Sequence, residues 1–185
     1  AGKMFGLLPT IHADEIESSG GAEVAAEVGA VSASHLLKPS DAGLEAMAKK
    51  GVIAVLLPGS CFLLREEKKP PVARMRELGI KFALGSDFNP GSSPLLAQPL
   101  TLQLGCIHYG LSIVEAVRGV TVNGAFALRK EDEVGTIEPG KRADIVLTDL
   151  PDYRHLAYRF GHNPVRTVIH KGKVVYQSPS SSVGV

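Results

Sequence analysis

LPTIHADEIE, residues 8–17, runs from apolar residues into polar ones. Its apolar side, Leu7-Leu8-Pro9-Thr10-Ile11, has the makeup of a buried strand, and His12, Asp14 and Glu15 arrive where that strand stops. The same pattern recurs along the chain. The apolar runs Phe5–Ile11, Ala30–Ser34, Val52–Leu57 and Ile80–Leu84 are each about strand length. They are too uniformly apolar for strands with one face in water, which points to strands covered on both sides. Each closes on polar or turn residues. The first ends at His12 and Glu15, the second at His35, and the third at Pro58-Gly59-Ser60. The fourth ends at Asp87, followed by Phe88-Asn89-Pro90-Gly91-Ser92.

Helical patterns lie between the runs. Glu23–Gly29 ends on a glycine. Ser40–Lys50 opens on a capping serine, spaces Leu44, Met47 and Ala48 along one face, and stops at Gly51. Pro71–Leu78 has proline early and Gly79 after its end. Strands that alternate with helices imply a parallel sheet with right-handed crossovers. Leu95–Tyr109 and Ser112–Leu128 read as two further helices, the second with a Ser112/Glu115 capping box. From Val134 the character changes to turn-rich sequence. Asp144–Thr148 and Val165–Tyr176 read as strands, with a hairpin turn at Lys171-Gly172-Lys173. The expected division is an α/β unit over residues 1–133, a small β unit over 134–177 and a frayed tail over 178–185.

Composition excludes several classes. The 185 residues are 44% hydrophobic and 21% charged, enough for a real core, and the net charge of +1 with acids and bases interspersed leaves no footprint for nucleic acid. No basic amphipathic block or long apolar run argues for a membrane. The two cysteines, Cys61 and Cys106, have no metal-type spacing, so reduced thiols and a cytoplasmic location are the expectation. The chain opens at Ala1 with strand-like sequence almost at once, which reads as an internal point of a longer chain.

Polar groups gathered at the C-terminal ends of parallel strands form the working face of a barrel or an open α/β sheet. An imidazole and a carboxylate are ordinary ligands for zinc or iron. A second carboxylate and a second imidazole nearby can move protons. These groups suit metal-assisted hydrolysis, in which bound water reaches a pKa near ~7. No GxGxxG, GxxxxGK[ST] or GxSxG pattern is present. Against these readings stand plainer ones. His12 alone is more often a satisfied histidine, Glu15 a helix-start carboxylate, His35 a hydrogen-bonding group, Asp87 a cap and Asn89-Pro90-Gly91 a turn. Their shared position at strand ends favours function. Arg65, among Glu66, Glu67, Lys68 and Lys69, reads as a solvated charge in a loop. Tyr158-Arg159-Phe160 reads as packing within the tail, and Cys61, with no visible basic partner, as inert.

At these residues the sequence resembles the amidohydrolase superfamily. HADE (12–15), SH (34–35), GSD (85–87) and the closing GTIEPGKRADIVLTD (135–149) carry the likeness. GSDFNPGSSP (85–94), LLPGSCFLLREEKKPP (56–71) and the 23-residue step from His12 to His35 narrow it to members that open the ring amide of 4-imidazolone-5-propanoate in histidine degradation. The resemblance implies a distorted (β/α)8 TIM-like barrel plus a small β-sandwich, with this chain supplying the second half of the barrel and the C-terminal part of the sandwich. It implies one divalent ion, zinc or iron, with His12 and Asp87 as ligands. Asp87 would also take a proton from water, Glu15 would contact the ring and shuttle a proton, and His35 would sit over the reacting carbonyl. Asn89, Gly91 and Ser92, with Glu15, would hold the substrate, and the intact enzyme would be a homodimer. The superfamily's His-x-His pair is absent, so a fragment that binds metal poorly alone, and aggregates or pairs through its open sheet edges, is expected. The alternatives are a deaminase of a cytosine- or guanine-like ring and a non-catalytic binding module.

Overall fold

The computed structural model describes residues 2–179. After a 3-10 turn at Gly2–Phe5 come β1 (Thr10–Ala13), α1 (Gly21–Glu27), β2 (Ser32–His35), α2 (Asp41–Lys50), β3 (Ile53–Leu56), α3 (Pro58–Leu63), α4 (Val72–Glu77) and β4 (Phe82–Leu84). The four strands are parallel and lie in the order β1-β2-β3-β4. Parallel neighbours cannot be joined by a tight turn, so the helices serve as crossovers. One sheet face is covered: Ala13, Ala33, Ala54, Leu56, Phe82 and Leu84 join Ala22, Ala25, Leu44, Met47 and Met75 in one core. Small side chains in the strands let the helices come close. A Cβ at Gly21 would lie 2.8 Å from the Ala13 Cα, and one at Gly43 would lie 2.7 Å from the Ala22 Cβ. On the other face the register sets His12 beside Ser34, Ser34 beside Val55, and Val55 beside Ala83.

The third and fourth apolar runs contain their strands, and the second overlaps all but the last residue of its own. The first overlaps its strand least: the strand starts at Thr10, and Phe5 and Leu7 are exposed. Gly6 turns the chain with a left-handed φ of 72°, and the Leu7 N–H closes the turn on the Gly2 carbonyl at 3.1 Å. Pairing begins only past Pro9, whose carbonyl accepts from Val31 at 2.9 Å. The stretch after β3, expected as a loop, starts as a helix with Pro58 in its first turn, where the missing N–H costs nothing. The Ser40 hydroxyl caps α2 through the Gly43 N–H at 2.8 Å, and Gly51 ends it at φ 68°.

Next come α5 (Gln98–Tyr109), α6 (Ile113–Val120) and α7 (Val122–Ala127). The Ser112/Glu115 capping box is present. The single helix expected over Ser112–Leu128 breaks at Thr121, whose backbone leaves the helical region while its hydroxyl bonds the Val117 carbonyl at 2.7 Å. The break lets Asn123 donate to the Phe82 carbonyl at 2.9 Å, pinning α7 to the sheet.

The remaining elements are β5 (Ile145–Thr148), α8 (His155–Tyr158), β6 (Val165–His170) and β7 (Lys173–Gln177), the strands forming an antiparallel sheet in the order β5-β6-β7. Lys171 and Gly172 both take positive φ, 51° and 75°, as the tight hairpin turn requires. The packing expected of Tyr158-Arg159-Phe160 is not found, since Tyr158 and Phe160 are exposed. Leu156 and Ala157 reach the core instead. Buried Gln103 fastens this segment to α5, donating to the carbonyls of Leu156 (2.9 Å) and Arg159 (3.0 Å) and accepting from the Gly161 N–H (2.8 Å). Of the expected frayed tail, Ser178 is bonded to the Arg166 carbonyl at 2.7 Å, and residues 180–185 lie outside the described residues.

Candidate metal centre

The ends of β1, β2 and β4 share an unusual backbone. Asp14 (φ 50°), His35 (70°), Leu36 (55°) and Asp87 (53°) are all left-handed without being glycine. Such residues are uncommon and gather where function holds them. At β2 the consequence is direct. Strand alternation puts His35 with Ala33, on the face covered by helices, and opposite in parity to His12. Yet the His35 Nε2 lies 3.1 Å from the His12 Nδ1. The left-handed turn takes the imidazole out of the alternation. Leu36 anchors the bend, fully buried, with its N–H on the Ala13 carbonyl at 3.0 Å.

Three donors meet here. The nitrogens of His12 and His35 and a carboxylate oxygen of Glu15 all lie within 4.8 Å of one another. His35 is buried, Glu15 half-buried and His12 exposed. The His35 Nδ1 is 3.4 Å from Glu15 Oε1, and the two imidazole centroids are 4.9 Å apart. Burial holds the His35 pKa below its ordinary value, although Glu15 and Asp87 pull it upward. A neutral imidazole has one donor and one acceptor nitrogen. The carboxylate of Glu15 assigns the proton of His35 to Nδ1, so its Nε2 accepts from His12 Nδ1–H. That assignment leaves the Nε2 lone pair of His12 free, and a carboxylate–histidine relay of this kind orients metal-binding imidazoles. An imidazole lone pair of this kind, with carboxylates nearby, fits a zinc-class or iron-class ion. Asp87 is half-buried and close enough for its charge to act on His35, but it is not a member of the three-residue group.

Asp14 has a different task. It is buried, and its carboxylate accepts from the N–H groups of Ser19 (2.8 Å), Gly21 (3.1 Å) and Ala22 (2.8 Å) and from the Ser19 hydroxyl (3.3 Å). It therefore satisfies the start of α1 across the loop that carries Glu15. Sequence reading missed this because the capped helix starts seven residues later.

The loop after β4 is folded on itself. Asn89 Oδ1 accepts from the N–H groups of Gly91 (2.9 Å) and Ser92 (2.7 Å), and its Nδ2 donates to the Asp87 carbonyl at 2.7 Å and the Ser92 hydroxyl at 2.9 Å. Buried Ser93 holds the base of the loop through the Ser86 carbonyl at 2.6 Å. The polar groups expected to hold substrate are thus engaged with one another, which presents the loop ready-formed. Arg65 is exposed, as a solvated charge should be. Cys61 does have a basic neighbour, His108 Nε2 at 3.5 Å, supplied from α5. Burial raises the thiol pKa and lowers that of the imidazole, so the pair stays neutral and the thiol protonated.

Residues 10–175 match the model of the amidohydrolase family. The chain belongs to the amidohydrolase family. Within it, the chain is 52% identical over 178 residues to the imidazolonepropionase of Geobacillus sp. (strain WCH70), covering 96% of this chain and 42% of that protein. It is 51% identical over 175 residues to that of Brevibacillus brevis, covering 95% of this chain and 41% of the relative. The chain thus spans about two fifths of the length of these relatives. In three dimensions it is similar to an adenosine deaminase from Xanthomonas campestris with bound zinc (TM-score 0.77, 22% identity, 93% of this chain and 46% of that one). It is also similar to E. coli guanine deaminase (TM-score 0.68, 17% identity, 80% of this chain and 39% of that one). These likenesses establish the fold: the parallel sheet and its crossovers are part of a TIM-type barrel. No helix among the described residues is long and apolar enough to cross a membrane.

Proposed function

We propose that the chain carries the C-terminal part of an imidazolonepropionase, hydrolysing the ring amide of 4-imidazolone-5-propanoate to N-formimidoyl-L-glutamate. The observation that carries this reading is the His12–Glu15–His35 cluster at the strand ends of a chain half identical to imidazolonepropionases. The small β-sandwich, the cytoplasmic location and a homodimeric intact enzyme belong to the same reading.

In it, His12 would offer a lone pair, and Asp87 a carboxylate oxygen, to one divalent ion, zinc or iron. When bound, such an ion supplies a Lewis acid that polarises an amide carbonyl and acidifies water at neutral pH. Water adds to the ring carbonyl carbon, Asp87 accepting its proton. The C–N bond then breaks as that proton passes from Asp87 by way of Glu15 to the departing ring nitrogen. His35, held neutral by burial, keeps Glu15 in place through Nδ1 and stands over the reacting carbonyl. Asn89, Gly91 and Ser92 give the substrate a preformed polar rim, exchanging a bond within the loop for one to the ligand.

The test is hydrolysis of 4-imidazolone-5-propanoate by the intact protein, with and without chelator. Turnover lost to chelator and restored by zinc or iron is the expected result. Ammonia release from a cytosine- or guanine-like ring in its place moves the reading to a deaminase, and failure to bind metal moves it to a non-catalytic module.

A further inference from the structure

Glu15 lies on the loop between β1 and α1, and packing does little to hold it. Ile16 is 76% exposed and the Glu17 side chain 79%. Two residues fix the loop instead. Asp14 ties it to the start of α1 through its carboxylate. Lys38 ties it to β2. The Lys38 N–H donates to the Asp14 carbonyl at 2.9 Å. Its ammonium donates to the Ile16 carbonyl and stands 3.6 Å from Glu17 Oε1. The two carbonyls that Lys38 engages belong to the residues immediately before and after Glu15. Three residues back from Lys38 is His35, whose ring meets the Glu15 carboxylate at 3.4 Å. One lysine therefore fastens both flanks of Glu15 to the segment that carries its partner.

We propose that Lys38 is a positioning residue that sets the Glu15 carboxylate against His35 for proton delivery to the ring nitrogen; this rests on the function proposed above. Lys38 is in neither the metal group nor the substrate loop. Its ion pair with exposed Glu17 is of the kind that contributes little in water. The bond to the Ile16 carbonyl is different, because no other side chain among the described residues anchors that carbonyl. Without it the loop swings on the left-handed hinge at Asp14, and a displacement of about 1 Å at a catalytic group lowers a rate on the order of 100-fold.

The test uses the intact protein with Lys38→Met, Lys38→Arg and Glu17→Gln. The readouts are kcat and KM for 4-imidazolone-5-propanoate, bound-metal stoichiometry, and hydrogen exchange at residues 15–18. Lys38→Met is expected to lower kcat by about 30- to 100-fold with KM changed by less than about threefold. Metal stoichiometry is expected to hold, and exchange at residues 15–18 to accelerate. Lys38→Arg, which still reaches the carbonyl, restores kcat to within about fivefold, and Glu17→Gln leaves it unchanged. A kcat for Lys38→Met within about twofold of the parent overturns the proposal. So does a full loss reproduced by Glu17→Gln, or an unchanged exchange rate in the loop. If the parent itself does not open the ring, the functional reading fails alone; exchange in Lys38→Met still decides whether Lys38 holds the Glu15 loop.

Discussion

Replacing Asp14 by alanine removes an acceptor that serves four donors at once: the Ser19, Gly21 and Ala22 N–H groups and the Ser19 hydroxyl. Ser19 is exposed, so water can take over its two donors. Gly21 and Ala22 are buried, and their N–H groups have no such recourse. Each orphaned buried donor costs about 1–3 kcal/mol, so Asp14→Ala is expected to destabilise by roughly 2–6 kcal/mol. With a urea slope of about 2 kcal/mol per molar, the midpoint falls by ~1–3 M at unchanged slope. Asp14→Asn is not a rescue. One carboxylate oxygen faces Ser19 and Gly21 and the other faces Ala22, so an amide NH2 in either orientation confronts an N–H donor. The assay is urea denaturation of the intact protein followed by circular dichroism. A loss below about 0.5 kcal/mol for Asp14→Ala, or an Asn variant as stable as the parent, would refute the capping argument.

Three other outcomes are expected. Gln103→Ala strips three bonds from the strap that joins α5 to residues 156–161; a loss of about 2–4 kcal/mol in urea titration, with faster hydrogen exchange at Gly161, is expected. The Glu115 carboxyl is held down to about 2 from 4.5, first by its bond to Arg76 and then by Ser112. A depressed acid adds stability that is present above its unfolded pKa and lost as pH falls through the folded one. Stability should therefore decline from pH 4.5 toward 2, and Glu115→Gln should flatten that part of a pH-dependent melting curve. His12→Ala removes the exposed member of the three-donor group; metal content by atomic absorption should drop at least about tenfold while the melting temperature changes little.

Much of the architecture was legible because its signals are local. The alternation of apolar runs with helical stretches fixed a parallel α/β sheet, and Ser40, Gly51, Ser112 and Glu115 marked helix ends with groups acting over three or four residues. Misreadings arose where local signals conflict. Phe5–Ile11 is apolar enough for a strand, but Gly6 and Pro9 give it a turn. Ser112–Leu128 has helical periodicity throughout, but Thr121 breaks it where Asn123 must reach β4.

The sequence by itself determined that His12, Glu15, His35 and Asp87 stand at strand ends, since a buried parallel strand of known length delivers its last residues to one rim. Tertiary structure alone decided which groups meet there and nearby. It turned His35 out of its strand alternation to meet His12 across 23 residues, committed Asp14 to α1, closed the Asn89 loop on itself and set Cys61 beside His108 across 47 residues. Periodicity and capping are contests between near neighbours, which a sequence displays. Which polar atoms meet over long separations depends on the packing of small residues such as Gly21 and Ala13 that lets the segments touch.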